Sequence, residues 1–188
     1  MPAPQRLYSK WRLTCRRLCI PPTPEVLLVS VRQQRMWWLE RHRLPRRSKA
    51  CEHRRVRGFL ISTSRFGVGQ LAGSNCTPLG LHRVALKIGA GWPVGTVFIE
   101  REPVGFTWQD RPDAAIAHRI LWLEGLEPGV NRGGEIDTFS RHIYIHGVGD
   151  EMALGKPASH GCIHMRARDL LWLFDRVRTE SMVWIDAD

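Results

Sequence analysis

The chain has no stretch approaching the roughly 20 consecutive apolar residues that a membrane-spanning helix requires. Its longest apolar candidate, Val26 to Val31, is interrupted by Ser30 and bounded by Glu25 and Arg32. The N-terminus is positive, but no apolar stretch of about 7–15 residues follows it, so no export signal is recognisable. A paired cysteine framework is missing as well. Cys15, Cys19, Cys51, Cys76 and Cys162 are odd in number, and no second ligand pair accompanies Cys15 and Cys19 at zinc-finger spacing. Four of them read as incidental free thiols, which suits a reducing compartment slightly better than an oxidising one. No internal repeat is visible.

Acidic residues are scarce at one end. Residues 1–58 hold 15 Lys/Arg against 3 Asp/Glu, a net of +12, whereas residues 59–188 hold 13 against 15, a net of −2. A basic segment of that kind suits nucleic acid, anionic lipid or an anionic wall polymer, or else it is a solvated face. Residues 1–24, ending in Pro21-Pro22-Thr23-Pro24, read as a basic, flexible leader with a stiff linker. The rest fits one globular domain over residues 25–188.

Within that domain, period-two alternation predicts strands. Val26–Val31 and Met36–Glu40 form a hairpin around Arg32-Gln33-Gln34-Arg35. A polar loop from Arg41 to Arg57 then leads to a strand at Phe59–Thr63. Residues 64–80 are turn-rich, and further strands fall at Leu81–Ile88, Val97–Glu100, His118–Glu124, Arg141–His146 and Met182–Ile185. The loop from Gly125 to Thr138 is long enough to suggest function or mobility. One helix stands out, starting near Asp169 and ending near Arg178, with Leu170, Leu171, Leu173, Phe174 and Val177 at helical spacing. Many short strands with one or two helices make a mainly β domain.

One stretch names a chemistry. Ser159-His160-Gly161-Cys162-Ile163-His164 places a thiol between imidazoles with a glycine against it, and His146-Gly147 lies upstream in a strand. A thiol needs a base or a positive field to become a nucleophile. On their strand, His142, Tyr144 and His146 share one face, opposite Ile143 and Ile145. Zinc ligation by His146, His160, Cys162 and His164 is the rival reading, although the spacing matches no established zinc pattern. His118 and His142 read as structural or groove-lining. The tryptophans read as core or surface anchors, with Trp92 and Trp108 as lesser candidates for sugar stacking.

Ile-His-Gly followed by Ser-His-Gly-Cys resembles the signature of the L,D-transpeptidase catalytic domain, also called the YkuD domain. The resemblance extends over about residues 25–188, taking in the opening hairpin with Gln34, Ser62-Thr63 leading to Thr77-Pro78-Leu79-Gly80, the Arg141–Gly147 strand and the Asp169 helix. It implies a sandwich-like fold and a cysteine acyltransferase acting on peptidoglycan stem peptides. The thiolate attacks the carbonyl of the third stem residue, usually a diamino acid, and terminal D-alanine leaves. By position Cys162 is the nucleophile, His146 the general base, and the Gly147 carbonyl orients the imidazole. Ser159 and His160 support the cysteine loop and groove, and the N–H groups of Gly161 and Cys162 form an oxyanion hole. Tyr144 shapes the pocket. His164 stands where the family commonly has arginine or asparagine, which weakens carboxylate anchoring.

The resemblance implies no metal or organic cofactor, no obligatory protein partner and no specific nucleic acid. The same imidazole neighbours predict appreciable thiolate at Cys162 near neutral pH. The family points to the cell envelope or periplasm, whereas the lack of an export signal favours a cytoplasmic L,D-carboxypeptidase that hydrolyses tetrapeptides. A non-catalytic wall- or nucleic-acid-binding protein acting through residues 1–58 is the alternative of another class.

Overall fold

Alternation gives each strand two faces, and the packing assigns an occupant to each. The computed structural model describes residues 3–42 and 52–188. Among these, the order is α1 (Ala3–Arg17), β1 (Glu25–Ser30), β2 (Arg35–His42), β3 (Glu52–Ser62), β4 (Gly80–Ile88), β5 (Thr96–Ile99) and β6 (Glu102–Phe106). There follow β7 (Ala117–Gly125), β8 (Tyr144–Gly147), β9 (Ile163–Met165), α2 (Ala167–Phe174) and β10 (Met182–Asp186). The strands pair in the order β4-β10-β1-β2-β3-β9-β8-β7-β5-β6, and a further β4–β7 pairing closes the first eight into a sandwich-like ring. The β5–β6 hairpin hangs outside it, attached to β7 through Val97 and Ala117. The mainly β, sandwich-like reading holds.

Inward residues alternate along each strand. Leu27 and Val29, Phe59 and Ile61, Leu121 and Leu123, and Ile163 and Met165 fill the ring, all buried. From α2, Leu170, Leu173 and Phe174 join the same cluster. That helix ends at Phe174 rather than near Arg178, and its Asp169 pairs with Arg57 at 2.7 Å.

The outward residues Val26, Leu28, Trp37, Leu39, Met182 and Trp184 would leave an apolar patch facing water. Helix α1 covers it with Leu7, Trp11 and Cys15, all buried. This corrects the expectation of a flexible leader. Its charges are partly paired, Lys10 with Asp186 (2.9 Å) and Asp188 (2.8 Å), and Arg17 with Glu127 (2.5 Å). The signal for the helix is the four-residue spacing of its buried residues, which its density of arginine hides.

Two loop expectations change as well. Strands β2 and β3 extend through His42 and from Glu52, so much of 41–57 is strand; residues 43–51, with Cys51, lie outside the described residues. The 125–138 segment is pinned by buried side chains. The Asn131 Nδ2 donates to the carbonyls of Leu79 (3.0 Å) and Leu81 (3.1 Å), and Glu127 Oε1 accepts from Leu81 N–H at 2.7 Å. Among the described residues no helix is long and apolar enough to cross a membrane.

Because Trp11 has no exposed surface, Trp11→Ala should cost about 3–5 kcal/mol, read as a lowered urea midpoint with secondary structure retained. An unchanged midpoint would mean that the N-terminal segment does not dock.

Candidate active site

The parallel pairing of β8 and β9 sets Ile145 opposite Ile163 and His146 opposite His164. One residue further back the same register places Cys162 beside Tyr144, whose N–H reaches Sγ at 3.4 Å. The isoleucines face the core. Tyr144, Cys162, His146 and His164 therefore share the outer face of the ring. Strand β8 begins at Tyr144, and His142 lies just outside it in the left-handed region (φ 54°).

His146 is 2% exposed, and its Nδ1 lies 2.8 Å from the Gly147 carbonyl. A carbonyl can only accept, so Nδ1 carries the proton and Nε2 presents its lone pair. Glycine is required next to it. A Cβ at Gly147 would lie 2.5 Å from the His118 Cδ2 and 2.8 Å from the Ala117 carbonyl oxygen. His118 is structural, since its Nδ1 accepts from Gly95 N–H (2.8 Å) and its Nε2 faces the Val148 carbonyl (3.2 Å).

Burial sets the protonation of the site. Desolvation pushes the Cys162 thiol up to about 11, outweighing the Tyr144 N–H and the Arg141 charge, both of which favour thiolate. It also lowers His146 to about 3, helped by the charge of His164, while the bond to Gly147 opposes the shift. Although Cys162 is only half-buried, both shifts run toward a neutral thiol beside a neutral imidazole, against the expectation of thiolate near neutral pH. Among the described residues the thiol makes hydrogen bonds with Tyr144 N–H and with the His142 carbonyl (3.5 Å), and none with His146.

His164 stacks edge-on against His146 with ring centroids 4.8 Å apart. Burial lowers it to about 4. It is therefore neutral near pH 7, and its expected part in carboxylate anchoring would be without charge.

The cysteine loop is held mostly by hydroxyls. Ser159 Oγ donates to the Cys162 carbonyl at 2.6 Å and accepts the Gly161 N–H at 3.2 Å. One of the two N–H groups expected for an oxyanion hole is therefore taken in this state, leaving that of Cys162 as the candidate. Thr77 Oγ1 donates to the Gly161 carbonyl at 3.0 Å. Gly161 itself sits at φ +120°, where a side chain would be strained. His160 is exposed and turned aside, its Nε2 accepting from Arg65 at 2.6 Å. That disperses the four donors of the zinc reading. Among the described residues no three His, Cys, Asp or Glu side chains are grouped to hold a metal.

Two arginines escaped the sequence reading. Arg141 donates to the carbonyls of Gly69 (3.1 Å), Gln70 (2.8 Å) and Cys76 (2.7 Å), tying the 64–80 connection to the site. It borders an open groove of about 250 Å³ with Asn75, Ser140, Ile143 and His160. On the other side, Arg101 from the β5–β6 turn reaches Tyr144 Oη at 3.3 Å. Strand register brings in neither, because both arrive from loops. Trp92 and Trp108 are exposed, Trp108 stacked on Phe106 at 4.7 Å. Cys15 and Cys76 pack away from the site chemistry, Cys15 Sγ against Met182 Sδ at 3.8 Å and Cys76 Sγ donating to the Phe66 carbonyl at 3.2 Å.

Known proteins were compared with this arrangement. No curated protein matches the sequence. Among solved structures, Bd1075 of Bdellovibrio bacteriovorus is similar at 14% identity and a TM-score of 0.55, over 88% of this chain and 48% of that one. The L,D-transpeptidase LdtMt1 in complex with imipenem is similar at 14% identity and a TM-score of 0.50, over 87% of this chain and 59% of that one. The chain thus spans about half the length of these structures, and at such identity they show the fold alone. The family model of the L,D-transpeptidase catalytic domain, YkuD, matches residues 24–185. The chain belongs to the L,D-transpeptidase catalytic domain family.

Proposed function

We propose that the protein is a cysteine acyltransferase of the cell envelope that acts on peptidoglycan stem peptides. The observation that carries this reading is the shared outer face of β8 and β9. There a thiol at Cys162 and a neutral, oriented imidazole at His146 occupy alternate rungs on one face, with the inward Ile145–Ile163 rung between them.

In the reaction the thiol rotates about χ1, away from the His142 carbonyl and toward His146 Nε2, which takes its proton. The thiolate attacks the carbonyl of the third stem residue. The oxyanion that forms is met by the Cys162 N–H. The imidazolium, held through its Nδ1–H by the Gly147 carbonyl, returns the proton to the departing amine as D-alanine leaves. The thioester then passes to an amine of a second stem, or to water. The scheme uses a thiol, an imidazole and backbone dipoles, with no metal or organic cofactor. Because burial disfavours both charged forms, proton transfer and attack are coupled, and the ion pair does not wait at rest.

Incubation with a purified stem tetrapeptide, with and without an amine acceptor, tests the reading by intact-mass spectrometry. A thioester adduct at Cys162 with loss of D-alanine is expected. A crosslinked product marks a transpeptidase, and water incorporation alone marks a carboxypeptidase. No adduct and no turnover with the thiol shown to be reduced would sink the proposal. Cys162→Ala should abolish the adduct, and His146→Ala should slow its formation by about 10²–10⁴-fold.

The resting protonation has its own test. With Cys162 pushed up to about 11, its thiolate fraction grows as pH rises and is small at neutrality. Alkylation by iodoacetamide should stay slow through pH 8 and climb above it, whereas an inflection between pH 6 and 7 would reveal a preformed ion pair.

A further inference from the structure

Arg101 sits in a turn that does not favour it. Ile99 pairs with Glu102, so Glu100 and Arg101 form a two-residue hairpin turn, with φ at 49° and 75°. Such a turn prefers Asn-Gly, because both central residues lie in the left-handed region. Two side chains with a Cβ are strained there, and strain of this kind gathers at functional positions.

The geometry shows what the arginine does with its place. Its guanidinium lies over the Trp122 ring, 4.9 Å from the centroid, and Nη1 donates to Tyr144 Oη at 3.3 Å. Among the described residues it makes no ion pair, although Glu100 and Glu102 adjoin it in sequence. Beneath it, Trp122 stacks on Phe139 at 4.2 Å and meets Tyr144 edge-on at 5.3 Å. Cys162 packs against this same apolar cluster. The Trp122 and Tyr144 rings are themselves buried, so what this cluster offers at its surface near the thiol is the guanidinium at its rim. A side-chain carboxylate of the acylating residue matches that guanidinium fork.

We propose that Arg101 is a specificity residue. Its guanidinium holds a free carboxylate at the far end of the side chain of the residue that acylates Cys162, so the site selects diamino acids with a free distal carboxylate over those whose carboxylate is amidated or missing. This rests on the acyl-transfer reading above. It assigns Arg101 a task that a charge-neutral His164 does not perform.

The full chain is assayed for D-alanine release from three tetrapeptides whose third residue carries a distal carboxylate, the corresponding amide, or no distal group, as in lysine. The wild type should prefer the free carboxylate by about tenfold or more in kcat/KM, with most of the difference in KM. Arg101→Gln should lose that preference, falling on the free carboxylate to the level of the amide, and Arg101→Lys should keep part of it. Arg101→Gly, which relaxes the turn, should melt no lower than the wild type and lose the preference in the same way. Wild-type turnover without discrimination, a preference that survives in Arg101→Gln, or an equal loss on all three peptides would each overturn the assignment. Absence of both adduct and turnover on every peptide, with a reduced thiol, overturns the acyl-transfer reading itself and this assignment with it.

Discussion

The register of β8 on β9 is the constraint on which the site depends. Side chains alternate with a period of two, so a slip of one residue would turn His146 and Cys162 into the core and bring Ile145 and Ile163 to the surface. Burying a side chain of that size contributes about 1.5–3 kcal/mol. Ile145, Ile163 and Met165 have no exposed surface, so the core itself opposes the slip. The hydrophobic interior thereby fixes the relative placement of Cys162 and His146 without touching either polar group. Gly147 completes the constraint, because the close approach of His118 and of the Ala117 carbonyl leaves no room for a Cβ at the point where the carbonyl must meet its own neighbour's imidazole.

Around that pair the structure uses neutral hydrogen bonds in preference to buried charge. Ser159, Thr77 and Ser64 close a chain of hydroxyl contacts beneath the cysteine loop, with Ser64 N–H donating to Thr77 Oγ1 at 3.0 Å and Thr77 Oγ1 donating in turn to Gly161. Gln34 continues it. Its Oε1 accepts the Thr63 N–H at 2.7 Å and its Nε2 donates to Thr63 Oγ1 at 2.8 Å. An imidazolium at buried His146 would have to offset a desolvation of several kcal/mol, and a thiolate at half-buried Cys162 a smaller one. Keeping both groups neutral avoids that cost until a substrate makes the charge useful. Arg141 fits the same economy of charge. It is half-buried, yet its guanidinium is directed at carbonyl dipoles of the 69–76 segment.

What was legible in the sequence follows from how local each feature is. That Cys162, His146 and Gly147 lie near one another was legible because the motif carries its own neighbours, and Ile143 and Ile145 marked the inner face by simple alternation. Helix α1 was hidden, since Leu7, Trp11 and Cys15 sit among arginines that read as a solvated arm, while the patch they cover belongs to β1, β2 and β10. The arginine-rich ends of β2 and β3 read as loop for a similar reason, because pairing rather than apolar content makes them strands. Neighbouring imidazoles suggest a positive field at the thiol, whereas desolvation lowers His146 and His164 and pushes the thiol itself up. Arg101 and Arg141 carried no sequence signal. Arg101 reaches Tyr144 across 43 positions, and Arg141 reaches back 65 to 72.

The placing of cations relative to His146 also bears on why His164 is tolerable. A permanent charge at the distance of the His164 ring, 4.8 Å from His146, would interact with a developing imidazolium by about 3 kcal/mol at an effective dielectric of about 20. A charge held that close would work against protonating His146, whereas the arginine common in the family at this position is longer and can carry its charge beyond the place of the ring. A neutral histidine there leaves the base free to take the proton. A cation is still useful for an anionic substrate, and the β5–β6 turn brings one in from outside the ring. Arg101 meets the site on the far side of Tyr144, on the Trp122 face, while the imidazole lies along β8 in the other direction. On the proposed reading the strained turn and the neutral histidine act together, placing positive charge toward the substrate and away from His146.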